Sequence, residues 1–337
     1  MVPHNCMTPA PVGQRGAHSR VVNTKDLNQL IVRPNGQPDS GIRARDYRAA
    51  AAGQLHRLVA GRFVSTTDWV ALDHDSQHRL LVNAAVERLP AGDVVSHWSA
   101  AALWRLPIIG RWPERVHVTT APNGRRASTS ALVRHQRLLT AAPVVVDGVT
   151  VTSLAETVID VARVATFAQA VAIGDAVLWR AQNPRDAVGM PGLTLDQLEQ
   201  VWRDSCEHRG RARARRVLDF IDGRANRPGE SLARVTMSGL GVPVPVLQHP
   251  IVLPDGTRYF LDFYFAAFDV GADFDGRIKY LDPAFRGGRT AEQVVYDEKI
   301  REDHVRSQLT GYGRFEWSVA GSAPRLGAAL RRFGVRW

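Results

Sequence analysis

The chain has 337 residues, 45% of them apolar, which suits two or three ordinary domains, each with its own core. Its two cysteines exclude a disulfide framework and a zinc site built on cysteines. The 43 basic against 33 acidic residues favour a polyanionic partner such as DNA.

No apolar run reaches the roughly 18 residues of a membrane span. The first 25 residues mix Pro, Gly, His and Arg and lack the apolar stretch of a secretion signal. A disordered tail over 1–25 and a cytoplasmic protein are expected. The charge is unevenly spread. Residues 230–337 hold 14 basic and 13 acidic side chains, whereas residues 1–229 hold 29 and 20. The basic field therefore belongs to the first two thirds.

Residues 26–80 predict a winged-helix-like unit. Ile42, Tyr47, Ala51 and Leu55 recur at near-helical spacing, with Arg43, Arg45 and Arg48 between them. Two short β-prone runs then flank Gly61, and helix, helix, hairpin is the order of a winged helix. Arg43, Arg45 and Arg48 are its candidate DNA contacts. A generic α/β cap fits the same pattern.

Residues 81–222 predict a mixed α/β domain. His78–Glu87 is an amphipathic helix. Ser96 or Ser99 starts a short helix that Pro107 stops. Val116–Thr120 and Ala131–Gln136 are strands. Residues 144–151 form a hairpin at Asp147-Gly148. Ser153 opens a helix with Glu156 placed for a capping box, and a second apolar helix spans Phe167–Trp179. His97 and His117 have apolar or small neighbours, so packed or hydrogen-bonded histidines are expected rather than metal ligands. Arg209, Arg211, Arg213, Arg215 and Arg216 form the densest basic run. It suits either a solvated helix face or one turned to phosphates.

From 230 onward the order is helix, three strands, helix, strand and a terminal helix. Asp262 and Asp273 sit inside aromatic-rich strands, and Asp275 follows Asp273 at period two. Carboxylates in such places need compensation. A divalent cation, Mg²⁺ or Mn²⁺, would supply it through oxygen ligands, with Asp262 and Asp273 as metal ligands. Lys279 would then stabilise charge at a reacting phosphate, which suits phosphodiester hydrolysis. Surface aspartates on turns are the competing reading, Asp275-Gly276 above all.

Glu230, Gln248, Leu261-Asp262-Phe263, the Asp273-to-Lys279 stretch, Asp303, Arg306 and the run 311–317 together resemble the very-short-patch-repair-like endonuclease domain of the PD-(D/E)xK superfamily. The resemblance puts Glu230, Asp262, Asp273, Asp275 and Lys279 in the active-site positions. The family usually has Glu where this chain has Asp273. The runs Val95–Pro107, Val116–Thr119 and Gly148–Asp160 resemble the AbiEi-like antitoxins of type IV toxin–antitoxin systems. That likeness implies a winged-helix autoregulator, with its own operator and a nucleotidyltransferase toxin as partners. The expected class is thus α/β (α+β): a winged-helix-like unit at 26–80, an AbiEi-like domain at 81–222 and a restriction-endonuclease-like domain at 223–337. The function is either that of a metal-dependent DNA endonuclease or that of a non-catalytic antitoxin-like regulator with a degenerate nuclease fold.

Overall fold

The computed structural model describes residues 24–33, 40–122, 127–225, 227–276 and 290–337. Residues 1–23 of the expected tail and Lys279 lie outside the described residues, as does the Arg43 side chain, whereas Thr24 and Lys25 begin a helix. The protein is mixed α/β, and among the described residues no helix is long and apolar enough to cross a membrane.

The chain opens with helices α1 (Thr24–Gln29) and α2 (Ser40–Ala51) and the hairpin β1 (Leu55–Val59) and β2 (Arg62–Ser65). The helical spacing that runs through Leu55 in the sequence stops at Ala51, because Gly53 takes a φ of +75° that favours glycine. Val32 bridges Phe63 and so ties the α1–α2 connection to the hairpin. Next come α3 (Thr66–Ala71) and α4 (His74–Val86). Asp73 caps α4, its side chain accepting from Ser76 N at 2.6 Å. The boundary drawn at residue 80 falls inside α4. One core cluster joins Leu27, Ile31 and Val59 to Val95, Val118 and Val151. The N-terminal unit and the domain after it therefore share a hydrophobic interior.

The central sheet has the order β5-β4-β3-β7-β6. Its strands are β3 (Val94–Val95), β4 (Val116–Thr120), β5 (Leu132–Gln136), β6 (Val144–Val146) and β7 (Val149–Val151). The β6–β7 turn has positive φ at both Asp147 and Gly148, as a two-residue hairpin requires. Helices α5 (His97–Leu103), α6 (Leu154–Val164), α7 (Phe167–Gln182), α8 (Leu195–Asp204) and α9 (Arg211–Leu218) enclose a second core around Val158, Ile173, Leu198 and Leu218.

The last third runs α10 (Pro228–Gly239), β8 (Val246–Val252), β9 (Arg258–Phe265), β10 (Val270–Phe274), α11 (Ala291–Ser307), β11 (Gly311–Phe315), α12 (Trp317–Ala320) and α13 (Ala323–Phe333). Its sheet order is β11-β10-β9-β8. Strands β8, β9 and β10 run antiparallel, and β10 pairs β11 in parallel, as a crossover through α11 demands. Met237, Phe263, Phe315 and Leu330 fill one face of this sheet, while Leu261, Val305 and Tyr312 fill the other. The closing strand β11 ends at Phe315 because Trp317 already begins α12. A buried pair locks this unit to the central domain: Arg234 donates to Asp175 at 2.8 Å, and Ser231 donates to the same carboxylate oxygen at 2.7 Å.

Candidate functional site

Asp262 and Asp273 lie side by side on β9 and β10. Asp262 N donates to Asp273 Oδ1 at 3.0 Å, and Phe274 N donates to Asp262 Oδ2 at 2.8 Å. The two carboxylates thus brace each other's strand. Gln248 takes a φ of +51° and donates its side-chain amide to Asp262 Oδ1 at 3.2 Å. A left-handed non-glycine inside a strand is strained, and here it faces a carboxylate.

Asp273 is 4% exposed. Its Oδ2 accepts from Arg301 Nη2 at 2.9 Å and from Tyr312 Oη at 2.8 Å. Arg301 reaches it from α11 and also pairs Glu298 at 3.0 Å. Arg314 on β11 pairs Glu298 at 2.8 Å and Asp275 at 3.3 Å. Burial, reinforced by the charge of Asp273, pushes the Tyr312 hydroxyl far up, so it stays a proton donor. Glu230 is buried at the start of α10. That end of the helix abuts the end of β10, because a Cβ on Gly229 would lie 2.0 Å from the Phe274 ring.

The oxygens of Asp262 and Asp273 all accept hydrogen bonds, and the compensating cation beside Asp273 is a guanidinium. Asp275 Oδ1 is the one buried oxygen among these three aspartates without a hydrogen-bond partner. Among the described residues no three His, Cys, Asp or Glu side chains are grouped to hold a metal ion. An Mg²⁺ or Mn²⁺ ion at Asp262 and Asp273 would have to displace the Arg301 guanidinium from Asp273. Arg301 was missed from sequence because nothing separates it from the other charged residues of α11.

The basic run divides between several tasks. Arg211 donates to the backbone oxygens of Trp202 and Ser205 and lies over the Trp202 ring, 4.1 Å from its centroid. Arg215 is neutralised by Asp219 and Glu199, at 2.5 and 3.0 Å. Arg216 lies over Phe167. Arg209 and Arg213 are exposed and make no ion pair with any described residue. On α2, Arg45 and Arg48 are exposed.

A second polar cluster lies in the central domain. Arg137 donates to Glu156 at 2.7 Å and to Asp160 at 2.5 Å. Both carboxylates are almost fully buried. Glu156 therefore does not close the expected capping box. Ser153 caps α6 alone, while the Glu156 carboxylate serves Arg137 and Thr140 N. His97 is hydrogen-bonded to Ser96 at 2.9 Å, and His117 to His135 at 3.1 Å, so both are packed and hydrogen-bonded, as expected. The His97 and His135 rings stack with centroids 3.5 Å apart.

Burial holds His97 well below its ordinary value, and holds His78, His117 and His135 at about 4, 3 and 4. Unfolding lets all four take up protons below about pH 6.5, so they make stability rise with pH from about 4 to 6.5. Burial also pushes Asp160 up to about 7 and Asp175 up to about 6. These two keep a proton that the unfolded chain loses near pH 3.8, so they make stability fall across the same window. Four groups outweigh two. Urea denaturation should show net stability rising from pH 4.5 to 6.5, and a decline would contradict the buried neutral histidines.

No family model matches the chain. Two uncharacterized proteins of Mycobacterium tuberculosis, MT2308 and Rv2248 from different strains, are each 31% identical over 163 residues. That match covers 48% of this chain and 56% of each relative, so the chain spans little more than half of their length. The solved structure of the RV2827C protein from the same organism is similar over 69% of this chain and 84% of that one. Its identity is 18% and its TM-score 0.31, too low to bear on the fold.

Proposed function

We propose that the chain is a DNA-interacting regulator of the antitoxin-like kind, whose endonuclease-like last third is a binding or structural unit and not a hydrolytic centre. The observation that carries this reading is the Arg301 guanidinium on Asp273. It supplies the positive charge that a hydrolytic site would leave to a metal ion. Support for DNA comes from the basic excess in residues 1–229, with Arg45, Arg48 and Arg216 as exposed contacts. The operator of its own gene and a nucleotidyltransferase toxin are the partners that the antitoxin resemblance implies. The adjacency of Asp262 and Asp273 favours the competing reading, a metal-dependent endonuclease, which requires Arg301 to move away.

Two assays on the full chain decide between the readings. Binding to its upstream DNA, followed by fluorescence anisotropy, should weaken steeply with salt, with a log–log slope of about −0.9 per phosphate contacted. Supercoiled plasmid with Mg²⁺ or Mn²⁺ should stay intact. Nicking that disappears in Asp262→Ala would establish the endonuclease instead. Binding that ignores salt would remove the DNA reading.

A further inference from the structure

A cavity of about 640 Å³ opens between β5, α6 and the start of α9, lined by Arg134, His135, Arg137, Arg163, Arg209 and Arg213. This volume lies in the range of small-molecule sites. The inner three arginines are buried, with side chains 8%, 7% and 5% exposed. Asp93, Glu156 and Asp160 answer part of their charge. The Nε–H groups of Arg137 and Arg163 make no hydrogen bond, and that of Arg134 stands 3.5 Å from Asp93 Oδ2. Asp160 Oδ1 accepts no hydrogen bond and stands 3.7 Å from Arg163, marking a polar floor.

The mouth carries Arg209 and Arg213 against the single carboxylate of Glu207, which accepts from Arg209 N at 2.9 Å. Gly210 takes a φ of +73°, and a Cβ there would sit 2.6 Å from the Arg163 carbonyl oxygen. Only glycine lets the chain run this close to α6 before α9 begins. The close approach sets Arg209 and Arg213 beside Arg163. The charge of Arg209 is felt at His135. The histidines here are neutral at physiological pH, so they add ring surface and not charge.

We propose that this cavity binds a phosphorylated small molecule of nucleotide size, of the nucleoside polyphosphate class. Arg209 and Arg213 take phosphate oxygens at the mouth, and the guanidiniums of Arg134, Arg137 and Arg163 line the wall behind them. Phosphate oxygens match guanidinium donors in geometry and charge. The buried inner arginines lie too deep for the convex backbone of a DNA duplex, although the phosphorylated end of a single strand shares the same chemistry. The proposal does not rest on the DNA reading above.

The test uses the full chain and isothermal titration with ATP, GTP, inorganic triphosphate, and a 5′-phosphorylated or unphosphorylated 12-residue single strand. A nucleoside triphosphate is expected to bind. The Arg209→Ala/Arg213→Ala double variant should weaken it about 100-fold, from two lost charge-assisted bonds, with an unchanged melting temperature. In the wild-type protein, the same nucleotide should shield Arg209 and Arg213 from phenylglyoxal, a readout that needs no variant. Failure of every nucleotide to bind at millimolar concentration overturns the proposal. Affinity untouched by the double variant overturns it too, as does binding confined to the 5′-phosphorylated strand.

Discussion

Arg301→Ala is expected to destabilise the C-terminal unit by about 3–5 kcal/mol, the range for removing one partner of a buried ion pair. Asp273 keeps Tyr312 and Asp262 N as donors, but neither carries charge. Two responses are open to a buried carboxylate left this way: to take up a proton or to draw in another cation. The double variant Arg301→Ala/Asp273→Asn separates stranded charge from lost packing. It should recover much of the loss, because an amide needs no counter-ion. Urea denaturation followed by the fluorescence of Trp317 and Trp337 reads both variants. A single-variant loss under about 1 kcal/mol would show that Arg301 is not the counter-charge of Asp273. The same protein answers the metal question. If Mg²⁺ raises the melting temperature of Arg301→Ala and not that of wild type, a cation can take the place of the guanidinium, by binding only the folded form.

Arg137→Ala strands two carboxylates at once. Glu156 and Asp160 are 2% and 0% exposed, and both receive their shortest hydrogen bonds from this guanidinium. Arg163 stands 3.7 Å from Asp160, too long to substitute for it. The expected loss is again about 3–5 kcal/mol at neutral pH. It should shrink as pH falls, because protonation removes the charge that Arg137 neutralised. The rise in stability from pH 4.5 to 6.5 that the buried histidines give wild type should therefore be shallower in the variant. Arg137→Lys should restore only part of the loss, since an ammonium cannot present a planar fork to two carboxylates. Equal denaturation midpoints for wild type and Arg137→Ala at pH 7 would remove this account.

Much of the last third is legible in the sequence. Apolar periodicity and turn residues are local, so the order of α10, β8, β9, β10, α11 and β11 could be read along the chain, as could the Asp147-Gly148 hairpin. Asp262 and Asp273 stood out because carboxylates in aromatic strands demand compensation, and their adjacency on β9 and β10 follows from simple antiparallel pairing. The compensating group could not be read. Arg301 lies 28 positions from Asp273 on a helix of charged residues, and only the crossover through α11 turns it onto the carboxylate. The basic run shows the same limit. Its composition suited either a solvated helix face or one turned to phosphates, but Arg211 goes to backbone oxygens, Arg215 to carboxylates, and Arg209 and Arg213 to a cavity.

The sequence by itself determined the mixed α/β class, the element order of the last third, the basic excess of the first two thirds and the need to compensate Asp262 and Asp273. These are properties of neighbouring residues and of composition. Tertiary structure alone decided that a guanidinium answers Asp273, that Glu156 serves Arg137 instead of a helix end, and that the first unit shares its core with the central sheet. Each depends on contacts between residues distant in the chain, and the free energy of a buried charge is set by whichever group the fold brings within hydrogen-bond reach.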